Sequence, residues 1–416
     1  MVWNSYRGYF SFSHTVLRRR NKSINVFHLL LRFPIYFGSH FNIPSILCYQ
    51  KGKLKNLFTL SSFLLVLTLL NGCSFMDIDK RSFVTAIGID ESDNLEKKYK
   101  ITLKISLSKG DPATTGAEFT LLSFDANSIS EALKNMQSMT DKELFYGHTK
   151  TILIGENVAT KEIRPIIDYF VRKADIQRTA YLGVAVPNAL QVLEFKPKVE
   201  QVAGSYLFSM FEENSNESPY AKALTLFDAY RRETESGINL AMPIIEVQHK
   251  KIQVNTIALF SKKGLESKLN AKESELFKLL TVGIKNGSTI INTNDGTYTI
   301  KILKGKTNCK IINADNNTKT AFFHIKLQTS VEEKVDNHLD LTYEKVQKIQ
   351  DETEKKIKKD VHLLLDTIQK SKLDPMGLGL KLRASSLLHR DIPDIYSNLN
   401  FKVKVDCRIK EAGIVG

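Results

Sequence analysis

Tyr99-Lys100-Ile101-Thr102-Leu103-Lys104-Ile105-Ser106-Leu107 alternates without a break. Tyr99, Ile101, Leu103, Ile105 and Leu107 point one way; Lys100, Thr102, Lys104 and Ser106 point the other. A period of two is the signature of a β-strand, and the polar half predicts a strand with one solvated face. The preceding run 83–90 (FVTAIGID) is strand-like as well, and the two make an antiparallel pair. Outward from them, residues 119–124 read as a third strand. Ser128 followed by Glu131 is a capping box opening a helix to about Met139. Residues 151–154 read as strand. Thr160 reads as the cap of a helix through Arg172, with Ile163, Ile166, Ile167 and Phe170 inward. Residues 179–186 are strand again, and Asn188 with Gln191 starts a short helix. Strands and helices therefore interleave.

Residues 213–220 (ENSNESPY) form a polar loop, and a helix is expected from Ala221 to about Glu233. Residues 238–247 and 252–260 pair as strands, Lys262-Lys263-Gly264 turns, and 271–280 is helical. Strands follow at 298–303, 309–312 and 322–331. Then comes a long helix over 342–370, with Tyr343, Val346, Ile349, Ile357, Val361, Leu364, Leu365 and Ile368 at helical spacing and a heavily charged opposite face. Asp374-Pro375 stops it. A last strand alternates Phe401, Val403, Val405, Cys407 and Ile409 against Lys402, Lys404, Asp406 and Arg408. The expected class is α+β: three mixed domains, each a largely antiparallel sheet with packed helices, at 73–212, 213–296 and 297–416.

Residues 1–72 stand apart. Leu57 to Leu70 is an almost unbroken apolar run behind Lys51, Lys53 and Lys55. It is shorter than the about 20 residues that span a bilayer as a helix and fits a signal-peptide core of roughly 7–15 residues. Leu70-Asn71-Gly72-Cys73 follows, with the spacing of a bacterial lipobox. Cleavage between Gly72 and Cys73 and acylation of the Cys73 thiol are expected; an ordinary signal peptide or a core helix ending in Cys are the alternatives. Residues 1–50, aromatic and without an acid, read as an upstream extension, with a functional leader as the other possibility.

The net charge of +14 suggests nucleic acid or an anionic membrane surface, but its distribution argues against both. Of the 59 Lys and Arg, nine lie in residues 1–72, which hold no Asp or Glu, so the chain from Cys73 on has 50 basic and 45 acidic residues, a net of +5. Cys309 and Cys407 lack metal-ligand spacing and read as buried free thiols, with one disulfide as the alternative. No nucleophile elbow, zincin motif, phosphate loop or paired cysteine motif is present. Gly377-Leu378-Gly379 follows a helix and lacks the third glycine of a dinucleotide fingerprint. His148, beside Gly147, reads as a lone surface or hydrogen-bonded loop histidine, with a general base as the alternative. No catalytic residue, metal or cofactor is expected.

The order of motifs is more specific than any one of them. The lipobox leads to the Ala-Ile-Gly-Ile-Asp ending at Asp90. Next come Tyr146-Gly147-His148-Thr149-Lys150-Thr151 and Asp175-Ile176-Gln177-Arg178-Thr179-Ala180. The long helix runs into Leu373-Asp374-Pro375-Met376-Gly377-Leu378-Gly379, and the chain closes on a strand ending Glu411-Ala412-Gly413. This series resembles the Ger(x)C family, the lipoprotein C subunits of bacterial spore germinant receptors. The resemblance implies three α+β domains and no enzymatic activity. It also implies a lipid anchor at Cys73 on the outer face of the spore inner membrane, and two integral-membrane partners, one transporter-like. Family members often have Ala-Asp before the late glycine pair and a following Trp; here Leu373-Asp374-Pro375 and Tyr396 stand instead. Tyr146, His148 and Arg178 are the candidate partner-binding residues, on the ground that loops and aromatic or arginine side chains carry interfaces; the competing reading packs Tyr146 over its own sheet and pairs Arg178 with Asp175. A substrate-binding lipoprotein of a transporter is the alternative function, disfavoured by the alternating strands, and an extracytoplasmic hydrolase a third.

Overall fold

The computed structural model describes residues 59–62, 78–107, 118–196, 205–211, 218–220, 222–249, 251–313, 319–335, 341–385, 396 and 399–412. Of the unit Met1–Met76, residues 59–62 are described, as one turn of helix. The second unit, Asp77–Gly416, holds both sheets and the described apolar cores, so it contains what it needs to fold without the first.

Within that unit the chain forms β1 (Arg81–Glu91), β2 (Tyr99–Ser106), β3 (Phe119–Ala126), α1 (Ile129–Gln137), β4 (Glu143–Phe145) and β5 (Thr151–Gly155). Then come α2 (Glu156–Lys161), α3 (Arg164–Arg172), β6 (Tyr181–Val186), α4 (Ala189–Glu194), α5 (Ser205–Phe211), α6 (Leu226–Thr234), β7 (Ala241–Gln248), β8 (Lys251–Ser261) and β9 (Gly264–Leu269). All these strands join one sheet, ordered β3-β2-β1-β5-β6-β7-β8-β9, with β4 beside the start of β1. The rest is α7 (Ala271–Thr281), β10 (Gly287–Thr293), β11 (Gly296–Asn313), β12 (Lys319–Lys334), α8 (Tyr343–Lys370), α9 (Leu378–Ser385) and β13 (Asn400–Ala412), with a second sheet ordered β10-β11-β12-β13.

The α+β class holds, with two differences. The described strands make two sheets rather than three, because the strands expected for a middle sheet prolong the first one. Nor is that sheet largely antiparallel: β1, β5, β6 and β7 run parallel at its centre, and antiparallel pairs flank them. Parallel strands need both faces covered, and Val84–Asp90 is accordingly buried at every residue. The polar face of β2 is covered too. Thr102 is 0% exposed and Lys104 3%, because α4 and the segment after it lie over them. The Lys104 ammonium reaches the Phe195 carbonyl at 3.4 Å and sits 3.8 Å from the centre of the Phe119 ring.

Local rules explain most element ends. Ser128 accepts from the Glu131 amide, while the Glu131 carboxylate reaches back to Asn127 N–H rather than to the cap itself. Asn188, Asn270 and Thr342 cap α4, α7 and α8. The single helix expected after Thr160 is instead two. Pro165 has no N–H to donate and is tolerated in a first helical turn, so it opens α3, while Thr160 lies inside α2. The helix expected from Ala221 begins at Leu226, after Thr225 caps it.

In the second sheet, α8 is about 42 Å long and lays Ile357, Val361, Leu364, Leu365 and Ile368 on one sheet face. Tyr343, expected inward, is 78% exposed, since the first turn overhangs the sheet. Cys309 and Cys407 are free and half-buried. Cys309 lies opposite Phe323 and Cys407 opposite Leu327 on the two sides of β12, too far apart to bond. Burial pushes the Cys407 thiol up to about 11 and raises Cys309 as well.

Candidate functional site

Two constructions stand out. The first is a loop surface at one end of the first sheet. Residues 146–148 form a single 3-10 turn after β4, closed by Thr149 N–H donating to the Tyr146 carbonyl. Lys150 N–H donates to Thr85, tying the turn to β1. The loop before β6 lies against it: Gln177 Nε2 donates to the Gly147 carbonyl at 2.8 Å. Phe227 N–H, at the start of α6, donates to the Arg178 carbonyl at 3.0 Å. His148, Gln177, Arg178 and Phe227 are thereby brought to one exposed surface, with Phe227 57% exposed. The His148 ring packs edge-on to Phe83 and tilted to Phe145.

Tyr146 does not share that exposure. It is 6% exposed within the main apolar core, with the Lys173 ammonium 4.5 Å from its ring centre, and burial raises its hydroxyl pKa. Asp175, the expected partner of Arg178, pairs with Lys173 at 3.0 Å; among the described residues the Arg178 guanidinium has no carboxylate. Tyr146→Ala is therefore expected to cost about 3 kcal/mol of stability, and Arg178→Ala less than about 0.5 kcal/mol, in urea denaturation. Equal costs at both positions would contradict this division of support and surface. Cys73 and the Gly72–Cys73 bond lie outside the described residues.

The second construction is internal. Buried Asp90 ends the Ala-Ile-Gly-Ile-Asp run and accepts from the Ala189 and Leu190 amides at 2.7 and 2.9 Å, holding the start of α4. Gly88 and Gly155 make room: a Cβ on the first would meet Ala189 and Leu193, and on the second the Asp90 carboxylate. Asp374 plays the matching part at the glycine-rich loop. Its carboxylate accepts from Leu378 N–H at 3.0 Å and Gly379 N–H at 2.6 Å. Its own backbone exchanges hydrogen bonds with Asn239, and Arg232 donates to both Asn239 and Pro375 while pairing with Asp228. Burial lifts the Asp374 carboxyl to about 6. This junction joins α6 and the start of β7 to the loop after α8. Its backbone donors are consumed internally, so the glycines serve packing.

A mixed first sheet, a second sheet crossed by one long helix, and a buried aspartate loop joining them define the class. The crystal structure of the GerBC protein has a similar overall fold, with a TM-score of 0.51 over 79% of this chain and 98% of that one. At 19% identity that likeness is one of fold. Residues 74–247 match the family described as the spore germination protein N-terminal domain, and residues 255–413 that described as spore germination B3/GerAC-like, C-terminal. The chain belongs to the Ger(x)C family of spore germination proteins. Spore germination protein GerQC of Bacillus cereus is 25% identical over 85% of this chain and 98% of its own length. Spore germination protein B3 of Bacillus subtilis (strain 168) is 24% identical over 85% and 97%.

Proposed function

We propose that this chain is the non-enzymatic, lipid-anchored subunit of a spore germinant receptor. In this reading diacylglyceryl-Cys73 holds it on the outer face of the spore inner membrane, where it assembles with two integral-membrane subunits. The observation that carries the reading is the match across both halves to relatives named for spore germination, over nearly their whole lengths. No helix among the described residues is long and apolar enough to cross a membrane. The exposed loop surface with His148, Gln177, Arg178 and Phe227 is the side we assign to a partner, and Tyr146 supports it from below. Deleting the gene tests the function. Spores should lose germination to the nutrient this receptor serves and keep germination by a trigger that bypasses nutrient receptors. Unchanged nutrient germination across the nutrients to which the parent responds would refute it.

A further inference from the structure

Helices cover one face of the second sheet, and the other face is open. On β12 and β13 the odd positions Phe323, Ile325, Leu327, Val403 and Val405 point into the core, so the even positions beside them point out; β11 follows the same phase beyond its irregularity at Ile302/Lys304, before which the even positions Tyr298, Ile300 and Ile302 are the buried ones. Six of those outward positions carry cations, and Lys306, Lys310, Lys326, Lys402, Lys404 and Arg408 are all exposed. Lys306 stands directly opposite Lys326, and Lys310 and Lys402 flank Phe322 on its two sides. Like charges facing each other across strands are unfavourable, so folding alone gives no reason for this pattern. The carboxylate on these rows is Asp406, and it is shared by His324 at 2.6 Å and Lys404 at 3.2 Å. Lys306, Lys310, Lys326, Lys402 and Arg408 have no carboxylate partner among the described residues.

We propose that this lysine-rich outer face of the second sheet lies against an anionic phospholipid surface. The exposed cations spread across three neighbouring strands of one sheet face, which suits a plane of charge rather than a threaded segment. Five of its six cations are lysines, point charges that meet phosphates without a fixed fork geometry. Half-buried Phe322 and the 42% exposed Ile312 add an apolar contribution at the headgroup boundary. The inference rests on the reading that the chain works at a membrane: a lipid anchor joined by a basic patch is the two-signal arrangement that makes attachment stable.

The test uses residues 73–416 without any acyl chain, floated with vesicles of zwitterionic lipid alone or with part of it replaced by anionic phospholipid. The protein should float with the anionic vesicles only and be released as salt rises. Each cation near such a surface is worth about fivefold in partitioning, so the triple variant Lys326→Gln, Lys402→Gln, Lys404→Gln should bind about a hundredfold more weakly. Lys355→Gln, Lys358→Gln, Lys359→Gln, on the exposed face of α8, should leave binding unchanged. All six positions are exposed, and a thermal melt of each variant verifies folding. Equal loss in the two triples, binding indifferent to anionic lipid, or capture by soluble polyglutamate without flotation would each overturn the proposal. Finding Cys73 unmodified in spores would remove the anchor and leave these results untouched.

Discussion

Asp374→Ala is expected to destabilise the protein by about 3 kcal/mol near pH 5, because it leaves the Leu378 and Gly379 amides buried without an acceptor. The loss should reach beyond the loop. Asn239 and Arg232 are anchored to the same turn, so the start of β7 and the end of α6 loosen with it. The pH dependence has a defined sign. In the folded protein the carboxyl titrates at about 6, above its ordinary 3.8, because burial disfavours the charged form. The folded state then binds the proton more tightly than the unfolded one. The contribution is complete below about pH 4 and declines as pH rises through 6. The stability gap between the parent and Asp374→Ala, from urea midpoints at pH 4.5 and 7.5, should be wider at the lower pH. A gap that widens toward pH 7.5 would show a carboxyl held charged.

Cys73→Ala is expected to move the protein from the membrane fraction to the soluble fraction, or to leave it unprocessed. One acyl chain holds a protein only marginally, whereas the two of a diacylglyceryl group hold it stably. The effect should be close to complete, since the basic sheet face alone is reversible and salt-sensitive. Mass spectrometry of the mature N-terminus gives the direct result: residues 1–72 absent and diacylglycerol on Cys73. An unmodified Cys73 with residues 1–72 attached would contradict the anchor.

Elements with strong local periodicity were legible in the chain. The inner face of α8 from Ile349 to Ile368, the alternation of β13, the cap at Asn188 and the Ser128 half of its capping box stand as read; the first turn of α8 at Tyr343 does not. What escaped depends on distant contacts. Alternation showed that Lys104 lies opposite the apolar face of β2 but not that α4 covers it, since that helix lies some 85 residues on. β10, Gly-Ser-Thr-Ile-Ile-Asn-Thr, carries too many small polar residues to signal a strand, and it forms by pairing with β11. Asp374 looked like a helix stop, and its partner Asn239 is 135 residues away. At the loop surface the sequence singled out the turn at 146–148 and the loop at Arg178. His148 and Arg178 are exposed there, but the burial of Tyr146 depends on Lys173 and the surrounding core. The basic sheet face was half visible, in Lys402, Lys404 and Arg408; Lys306 and Lys326 join it only through the register of β11 on β12.

In the function proposed, this chain works by assembly at a membrane. The most direct measurement is affinity capture of the tagged, natively expressed protein from detergent-solubilised spore membranes, with mass spectrometry of what accompanies it. A multi-pass transporter-like protein and a second multi-pass protein should co-purify in fixed ratio, and that ratio should fall in an Arg178→Ala, Phe227→Ala variant of unchanged abundance. Recovery of the chain alone, or from the soluble fraction, would contradict the account.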